Sequence, residues 1–179
     1  VVSDQAGQSN IMSRLKSIGI QIEKNDPKIK KLLSEVKDRE FIGYSYDGAD
    51  ASFELLARRL MGDIPRYILI NEYDVTVKKD NTGEIISVAK AQLEVDGQKI
   101  LCEGQGNGPV NALDNAIRKN VNKLAKYSEY LKDLKLVDYK VRILNTGTEA
   151  VTRVSIESTD SKGVNWFTIG VSPNIIDAS

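Results

Sequence analysis

Apolar residues recur at helical spacing through the first third of the chain. In the first such stretch Ile11, Leu15 and Ile18 fall on one face, as in an amphipathic helix. Three short helices are predicted here from residues that favour helix starts and ends. The first would start at Ser9 or Asn10 and end at Gly19, the second would start at Asp26-Pro27, and the third would start at Asp50 and end at Gly62. Each helix has an apolar face with little to bury it against. Residues 1–62 are therefore predicted to form a helical linker subdomain that needs a partner.

From Arg66 onward the apolar period changes to alternation, which is typical of strands with one covered face. Asp96-Gly97 is a strong hairpin signal within this part. The predicted elements are strands over 67–77, 85–95 and 99–103 with a helix from Pro109, then strands over 134–144, 150–158 and 165–171 with a helix from Ser172-Pro173. The predicted fold class is α+β, with a domain over residues 63–179 built from two β-β-β-α repeats related by pseudo-twofold symmetry.

The most distinctive segment is residues 103–119, in which glycines alternate with other residues before Pro109. Proline is tolerated in a first helical turn, so the N–H groups of residues 110–112 are predicted to point into a glycine-lined space. Such a helix start can hold a carboxylate. The spacing is not the dinucleotide fingerprint, and it fits a tight strand-to-helix turn as well as a ligand site. The alternating glycines are Gly104, Gly106 and Gly108.

The two predicted strand-to-helix joints look alike. Gly106-Asn-Gly-Pro109 and Gly170-Val-Ser-Pro173 each place a glycine and a proline before small or apolar residues. An internal repeat of one supersecondary unit explains this similarity. Two positive helix starts brought toward one another would form a pocket suited to a zwitterion or a carboxylate.

Composition narrows the possible functions. The chain has 179 residues and no histidine, and its Lys+Arg and Asp+Glu totals are both 25. Because the commonest general base and metal ligand is missing, no catalytic residue and no metal site are predicted. Zero formal charge gives no pull toward nucleic acid or an anionic membrane, and no apolar run is long enough to cross one. We therefore expect a soluble, cytoplasmic protein.

Two features leave alternatives open. The single cysteine, Cys102, lies in a strand-like run and is either a buried inert thiol or a nucleophile. The polar side of the second helix is either an ordinary solvated surface, as its interspersed acids indicate, or a basic face for nucleic acid. Its basic residues are Lys28, Lys30, Lys31 and Lys37, with Lys24 just before it. The chain begins at Val1 and ends within a predicted helix, so we expect a fragment whose final helix is truncated.

The chain resembles the C-terminal regulatory domain of the isopropylmalate synthase family. The stretches that carry this resemblance are 103–116, 136–143, 150–157 and 170–178. The N-terminal part is similar to the linker and helical subdomain of the citramalate synthases, the pyruvate-using branch of that family. Its matching stretches are Gly7-Gln-Ser-Asn-Ile11, Asp26-Pro27, Gly43-Tyr44 and 49–56.

The resemblance implies a regulatory and dimerisation module of an acyltransferase that condenses acetyl-CoA with a 2-oxo acid. The fragment itself would be non-catalytic and without a cofactor. A catalytic barrel of the same chain, holding a divalent metal, would precede it. Isoleucine, the end product of the citramalate route, is expected to bind at a homodimer interface and inhibit the barrel. The alternatives are a leucine-binding domain of 2-isopropylmalate synthase, or a dimerisation module with no effector.

The resemblance also implies an effector pocket, carried over position by position. Leu136, Ile143 and Val154 would wall an aliphatic side chain, although any one of them alone is more typical of core. Backbone N–H groups beside Val110 and Pro173 would meet the carboxylate. Asn111 or backbone carbonyls would meet the ammonium group, and the neutral amide of Asn111 departs from the small or acidic residue expected there. The full set is Val110, Asn111, Leu136, Tyr139, Ile143, Ala150, Val154, Pro173 and Ile175.

Overall fold

The computed structural model describes residues 4–145, 147 and 150–179, with side chains from Gly7 onward. The chain divides into two compact units. One contains the described residues of Val1–Pro65, Leu136–Ser158 and Asn165–Ser179, and we call it the helical unit. The other contains Arg66–Lys135 and Thr159–Val164, and we call it the sheet unit. The sequence division at residue 62 stays a prediction.

The helical unit begins with three helices, α1 (Asp4–Ser17), α2 (Pro27–Phe41) and α3 (Asp50–Met61). The predicted start of α2 is confirmed, because the Asp26 side chain caps it by accepting the Lys28 N–H. Gly62 ends α3 in the left-handed conformation, also as predicted. The predicted start of α1 at Ser9 or Asn10 is wrong, since the helix begins at Asp4.

The early start of α1 has a packing reason. Gly7 lies inside the helix, and a Cβ there would approach Leu33 Cδ1 of α2 to 3.1 Å. The missing side chain thus lets α1 pack closely on α2. The turn of helix before Ser9 is held by this packing, which overrides the local capping signal.

The expectation that the three helices have little to bury their apolar faces against is wrong. Their faces pack on one another in a single cluster in which Leu15, Ile29 and Leu32 have no exposed surface. Tyr46 and Phe53 join this cluster and meet edge to face. The Arg14 guanidinium lies 4.0 Å from the Phe53 ring centroid. These helices therefore form a core of their own.

The helical unit also contains the second sheet of the chain, except for its end residues Lys135 and Thr159. Its strands are β4 (Lys135–Ile143), β5 (Thr152–Thr159) and β6 (Asn165–Ser172), in the order β4-β5-β6. The helix α6 (Ile175–Ala178) follows β6. Two contacts join this sheet to the helices. Ser52 of α3 accepts the Ile169 N–H at 2.9 Å, and Arg153 Nε donates to the Gly43 carbonyl at 2.6 Å. The predicted turn at 145–148 lies partly outside the described residues.

The sheet unit contains β1 (Ile68–Lys79), β2 (Ile85–Val95) and β3 (Gln98–Gly106), followed by α4 (Pro109–Val121) and α5 (Ala125–Lys132). Both strand pairs are antiparallel, and the hairpin predicted at Asp96-Gly97 is confirmed by φ angles of 50° and 79°. Alternate residues of β2, from Ser87 to Val95, are buried. The sequence missed α5, which buries no residue completely and so leaves only a weak apolar pattern.

The β-β-β-α order thus occurs twice, and the predicted α+β class is confirmed. The helices differ in length, since α4 has 13 residues and α6 has 4. Among the described residues, no helix is both long enough and apolar enough to cross a membrane.

Candidate effector site

Two glycines of the distinctive segment lie in β3 rather than in a loop. A Cβ on Gly104 would overlap the backbone of α4, reaching 2.7 Å from Ala116 Cα and 2.9 Å from the Ala112 carbonyl oxygen. A Cβ on Gly106 would reach 2.6 Å from Ala112 N. Neither glycine has a positive φ. The lack of a side chain at both positions therefore allows α4 to pack closely against β3.

The start of α4 lacks a side-chain cap. Gly108 is the N-cap residue, and no side chain accepts a hydrogen bond from the first turn. The Ala112 N–H, predicted to be unpaired, instead donates to the Gly108 carbonyl at 2.9 Å. The N–H groups of Val110 and Asn111 are left as the two at this helix start that could meet an anion.

The Asn111 side chain turns back toward its own loop. Its Oδ1 accepts the Asn107 N–H at 3.2 Å and lies beside Gly106. The amide therefore braces the connection between β3 and α4. Its oxygen is the atom that an ammonium group would need, so a ligand there would have to share or replace this hydrogen bond.

The start of α6 is built differently. Asn174 is the N-cap, and its Oδ1 accepts the N–H groups of Ile176 at 2.8 Å and Asp177 at 3.3 Å. The prediction of a helix from Ser172-Pro173 is wrong, because Pro173 precedes the cap. The helix begins at Ile175. Two of its first N–H groups are thus already satisfied.

The structure shifts the alignment of the two joints by two residues. A Cβ on Gly170 would overlap the backbone of Ala178, just as one on Gly104 would overlap that of α4. Each glycine is followed four residues later by the N-cap and eight residues later by a buried alanine, Ala112 or Ala178. The matching pair is therefore Gly104 with Gly170, and the proline-based alignment of Gly106 with Gly170 is wrong.

The sheet of the helical unit has two different faces. The Asn165 amide donates to Glu157 Oε1 at 2.7 Å, so these residues share one face. Alternation then puts Val154 and Gly170 together on the other face, which α6 covers at Gly170. Tyr139 belongs to that second face as well, because its hydroxyl lies 2.6 Å from Ser179 Oγ just beyond α6. We call it the α6 face.

The α6 face brings some of the predicted site residues together and leaves others out. Tyr139, Ile143 and Val154 share this face, whereas Leu136, three residues before Tyr139, falls on the opposite one. Val154 is fully buried and Ile143 is 66% exposed. The remaining predicted residues of the helical unit lie outside its strands: Ala150 before β5, Pro173 after β6 and Ile175 at the start of α6.

A comparison with protein families identifies the architecture. The model of the LeuA allosteric (dimerisation) domain matches residues 47–179, a range that begins just before α3 and includes both repeats.

The chain belongs to the LeuA dimerisation domain family.

Similar proteins of known name extend the comparison to the whole chain. An (R)-citramalate synthase of Aquifex aeolicus is 44% identical over 99% of this chain and 34% of its own length. Those of Synechocystis and Geobacter sulfurreducens are each 41% identical over 100% of this chain, which covers 33% and 34% of their lengths. The LeuA dimerisation domain described here, with its preceding helices, therefore spans about a third of the length of these relatives.

The cysteine of this LeuA dimerisation domain is buried. Cys102 lies in β3 with 3% of its surface exposed. Burial raises the pKa of its thiol, and the nearby charge of Lys123 offsets this only in part. A neutral buried thiol is a poor nucleophile, so the geometry favours the inert interpretation over the reactive one.

We expect Cys102 to resist labelling in the folded chain. At neutral pH an aromatic disulfide reagent should modify less than a tenth of the thiol in the time that modifies all of it in urea, because reaction needs both exposure and the thiolate. The denatured chain is the internal control and should give one thiol per chain. Equally fast labelling of the folded chain would support the nucleophile interpretation.

No sequence signal marks one unusual residue in the sheet of β1, β2 and β3. The Ser87 hydroxyl is fully buried and has no hydrogen-bond partner among the described residues. It lies directly across from Gly106 in the β2–β3 register, on the face that α4 covers. Only the strand register, which fixes its neighbours, identifies it as a polar group under the first turns of α4.

We searched the described residues for metal-binding groups and for cavities. The described residues contain no group of three or more Cys, Asp or Glu side chains that could hold a metal ion. In the sheet unit a surface cavity of about 630 Å³ runs along β3 and α4. Its lining residues include Gly104, Asn115 and Arg118, so it lies beside the middle of α4 and not at the helix start.

Proposed function

We propose that the chain is the regulatory and dimerisation region of a citramalate synthase. The observation that carries this proposal is the pairing of two matches. The family model is that of an allosteric dimerisation domain, and the relatives named (R)-citramalate synthase match the chain over 99% and 100% of its length. The branch of the family follows from the names of these relatives, and isopropylmalate synthase is the alternative.

In this proposal the chemistry belongs to the remaining two thirds of the protein. That part would condense acetyl-CoA with pyruvate and would hold a divalent metal in its catalytic barrel. The residues of this chain would bind the effector and the second subunit. The absence of histidine from its sequence agrees with this division.

Isoleucine is the effector that we propose, because it is the end product of the citramalate route. The α6 face supplies a suitable wall, since Ile143 and Val154 are β-branched and hold one χ1 rotamer firmly. Tyr139 flanks them and is fixed by its hydrogen bond with Ser179. Within the sheet unit, the N–H groups of Val110 and Asn111 at the start of α4 are a separate proposed partner for a carboxylate.

Methyl NMR spectra of the chain test where isoleucine binds. Added isoleucine should shift the methyl signals of Ile143 and Val154, because they line the proposed wall. Those of Ile29, fully buried among the helices, should stay in place as the internal control. Shifts at Ile29 with none at Ile143 and Val154 would place the ligand elsewhere and overturn this site.

A homodimer is the assembly that we propose. The α6 face leaves Val137 50%, Val141 44% and Ile143 66% exposed, and such a row of apolar side chains is better covered by a second subunit than by water. The family description as a dimerisation domain supports the same conclusion.

Sedimentation equilibrium should give roughly twice the 19.8 kDa chain mass at micromolar concentration. Replacing Val141 with lysine should shift the equilibrium toward monomer, because a charge would enter the proposed apolar contact. Replacing Val164 with lysine is the matched control, since this exposed valine lies in the turn between β5 and β6. If the unmodified chain is a monomer at micromolar concentration, the proposal is contradicted.

A second candidate function is a dimerisation module with no effector. Asn174 favours it, because its side chain already satisfies two N–H groups of α6 that a ligand carboxylate could otherwise use. This module would still form the dimer, but no branched-chain amino acid would bind to it.

A further inference from the structure

The helical unit contains a cavity that the proposed effector site does not use. It has a volume of about 490 Å³ and lies between the connection from α2 to α3 and the sheet of the same unit. We call it the connection cavity. Its sheet side includes Val141, Thr168 and Ile169 together with four polar residues, which are Lys140, Arg142, Arg153 and Ser155. By strand alternation these four residues occupy the face opposite α6, so the cavity is separate from Tyr139 and Val154.

The charges around the connection cavity are unequal. No carboxylate pairs with Arg142 or Arg153 in the part of the chain that the structure describes. Lys140, in contrast, forms an ion pair with Asp138 at 2.7 Å, and Asp47 is the one carboxylate in the lining. Among the lining residues, two arginines without a carboxylate partner therefore stand against one carboxylate, Asp47, which gives the lining an excess of one positive charge. Glu157 is on the same sheet face but lies outside the lining.

The geometry of Arg153 suits the binding of an anion. Arg153 is held by the bond from its Nε to the Gly43 carbonyl, at 2.6 Å, which leaves its terminal nitrogens available. A guanidinium presents its donors in a planar fork that matches the two oxygens of a carboxylate or phosphate group. The hydroxyls of Ser45 and Ser155 line the same cavity and add neutral donors.

We propose that the connection cavity binds a small metabolite through a carboxylate or phosphate group, with Arg142 and Arg153 as its main ligands. The cavity volume lies within the range of small-molecule sites, about 300–1,000 Å³. A ligand there would contact both the sheet and the connection that ends at Ala49, the N-cap of α3, and would therefore stabilise their packing. This inference does not depend on the proposed isoleucine site, because it uses the other face of the sheet.

NMR titration of the isotope-labelled chain tests the proposal with two separate probes, inorganic phosphate and acetate. Saturable shifts are expected in the Nε–H signals of Arg142 and Arg153 and in the amides of 49–52. The tighter probe identifies the class of anion. Sodium chloride at matched ionic strength controls for screening. Shifts that stay linear with both probes, or that spread evenly over exposed lysines, would overturn the proposal.

Three variants locate the binding. Arg142→Gln should weaken the tighter probe at least tenfold, whereas Asp47→Asn should strengthen its binding by removing the competing carboxylate. Arg59→Gln is the matched control, because this exposed arginine of α3 has no side-chain hydrogen bond or ion pair among the described residues and lies outside the lining. A melting temperature within a few degrees of the parent confirms that each variant is folded. Unchanged affinity in Arg142→Gln would refute the assignment, whatever the isoleucine experiments show.

Discussion

Replacing Gly104 with alanine is expected to destabilise the sheet unit by about 2–3 kcal/mol. The new Cβ would overlap the backbone of α4 near Ala116 and Ala112, and backbone atoms cannot move aside as a flexible side chain can. The gain from a stiffer unfolded chain, about 0.4–1 kcal/mol, is smaller than this overlap costs. The helix must therefore move away from β3.

Urea denaturation followed by circular dichroism measures this loss, and hydrogen exchange at Leu93 and Val95 localises it to the sheet under α4. Gly108→Ala is the matched control. Gly108 has an extended φ of −154°, and a Cβ there would meet nothing within 4 Å. Because Gly108 is the N-cap of α4, alanine there should cost about 0.5–1 kcal/mol, which is less than the cost at Gly104. If the two variants are equally stable, the claim that Gly104 allows α4 to pack closely on β3 is contradicted.

Leu32→Ala is expected to destabilise the helical unit by about 2–5 kcal/mol, the usual cost of truncating a buried leucine. Leu32 is fully buried in the cluster that α1, α2 and α3 form, so its removal leaves a cavity among tightly packed neighbours. Thermal unfolding should show the effect, together with faster amide exchange at Ile29.

Leu55→Ala is the control for this second prediction. It is the same substitution in α3, at a leucine that is 40% exposed, and its cost should be well below that of Leu32→Ala. Equal losses, or no loss at Leu32, would mean that the three helices do not form the core described above and need another partner after all.

Much of the fold could be predicted because its signals are local. The capping aspartate at Asp26, the left-handed stop at Gly62 and the turn at Asp96-Gly97 each depend on a few neighbouring residues. Alternation likewise predicted β2 to the residue, over Ile85–Val95. These signals hold because nothing elsewhere in the chain competes with them.

The sequence predictions are wrong where packing between elements distant in sequence decides the local structure. The first helix begins before its best capping residues because Gly7 packs on Leu33. The glycines before Pro109 look like a loop in the sequence, yet two of them belong to β3 and serve the approach of α4. The alignment of the two strand-to-helix joints by their prolines was wrong as well. In the second joint the residue that starts the helix is the N-cap Asn174, which follows the proline.

The candidate site was predictable only as a set of positions. The resemblance supplied residues along β4 without regard to their direction, so it joined Leu136 to Tyr139 although alternation separates them. Nor could the sequence show that the Asn111 oxygen is used by its own loop, because that contact depends on the path from β3 to α4.

Calorimetric titration of the chain with isoleucine, leucine and valine tests the central claim most directly. Leucine and isoleucine have equal volume, so only pocket shape can separate them, and a badly placed methyl group costs about 1–3 kcal/mol, or about 10–200-fold in affinity. Isoleucine should bind at least tenfold more tightly than leucine. Tyr139→Ala should weaken isoleucine binding, and Tyr139→Phe should weaken it less because the ring remains. Leucine binding as tight as that of isoleucine would favour the isopropylmalate branch, and no heat with any of the three would contradict the claim that this domain binds an amino-acid effector.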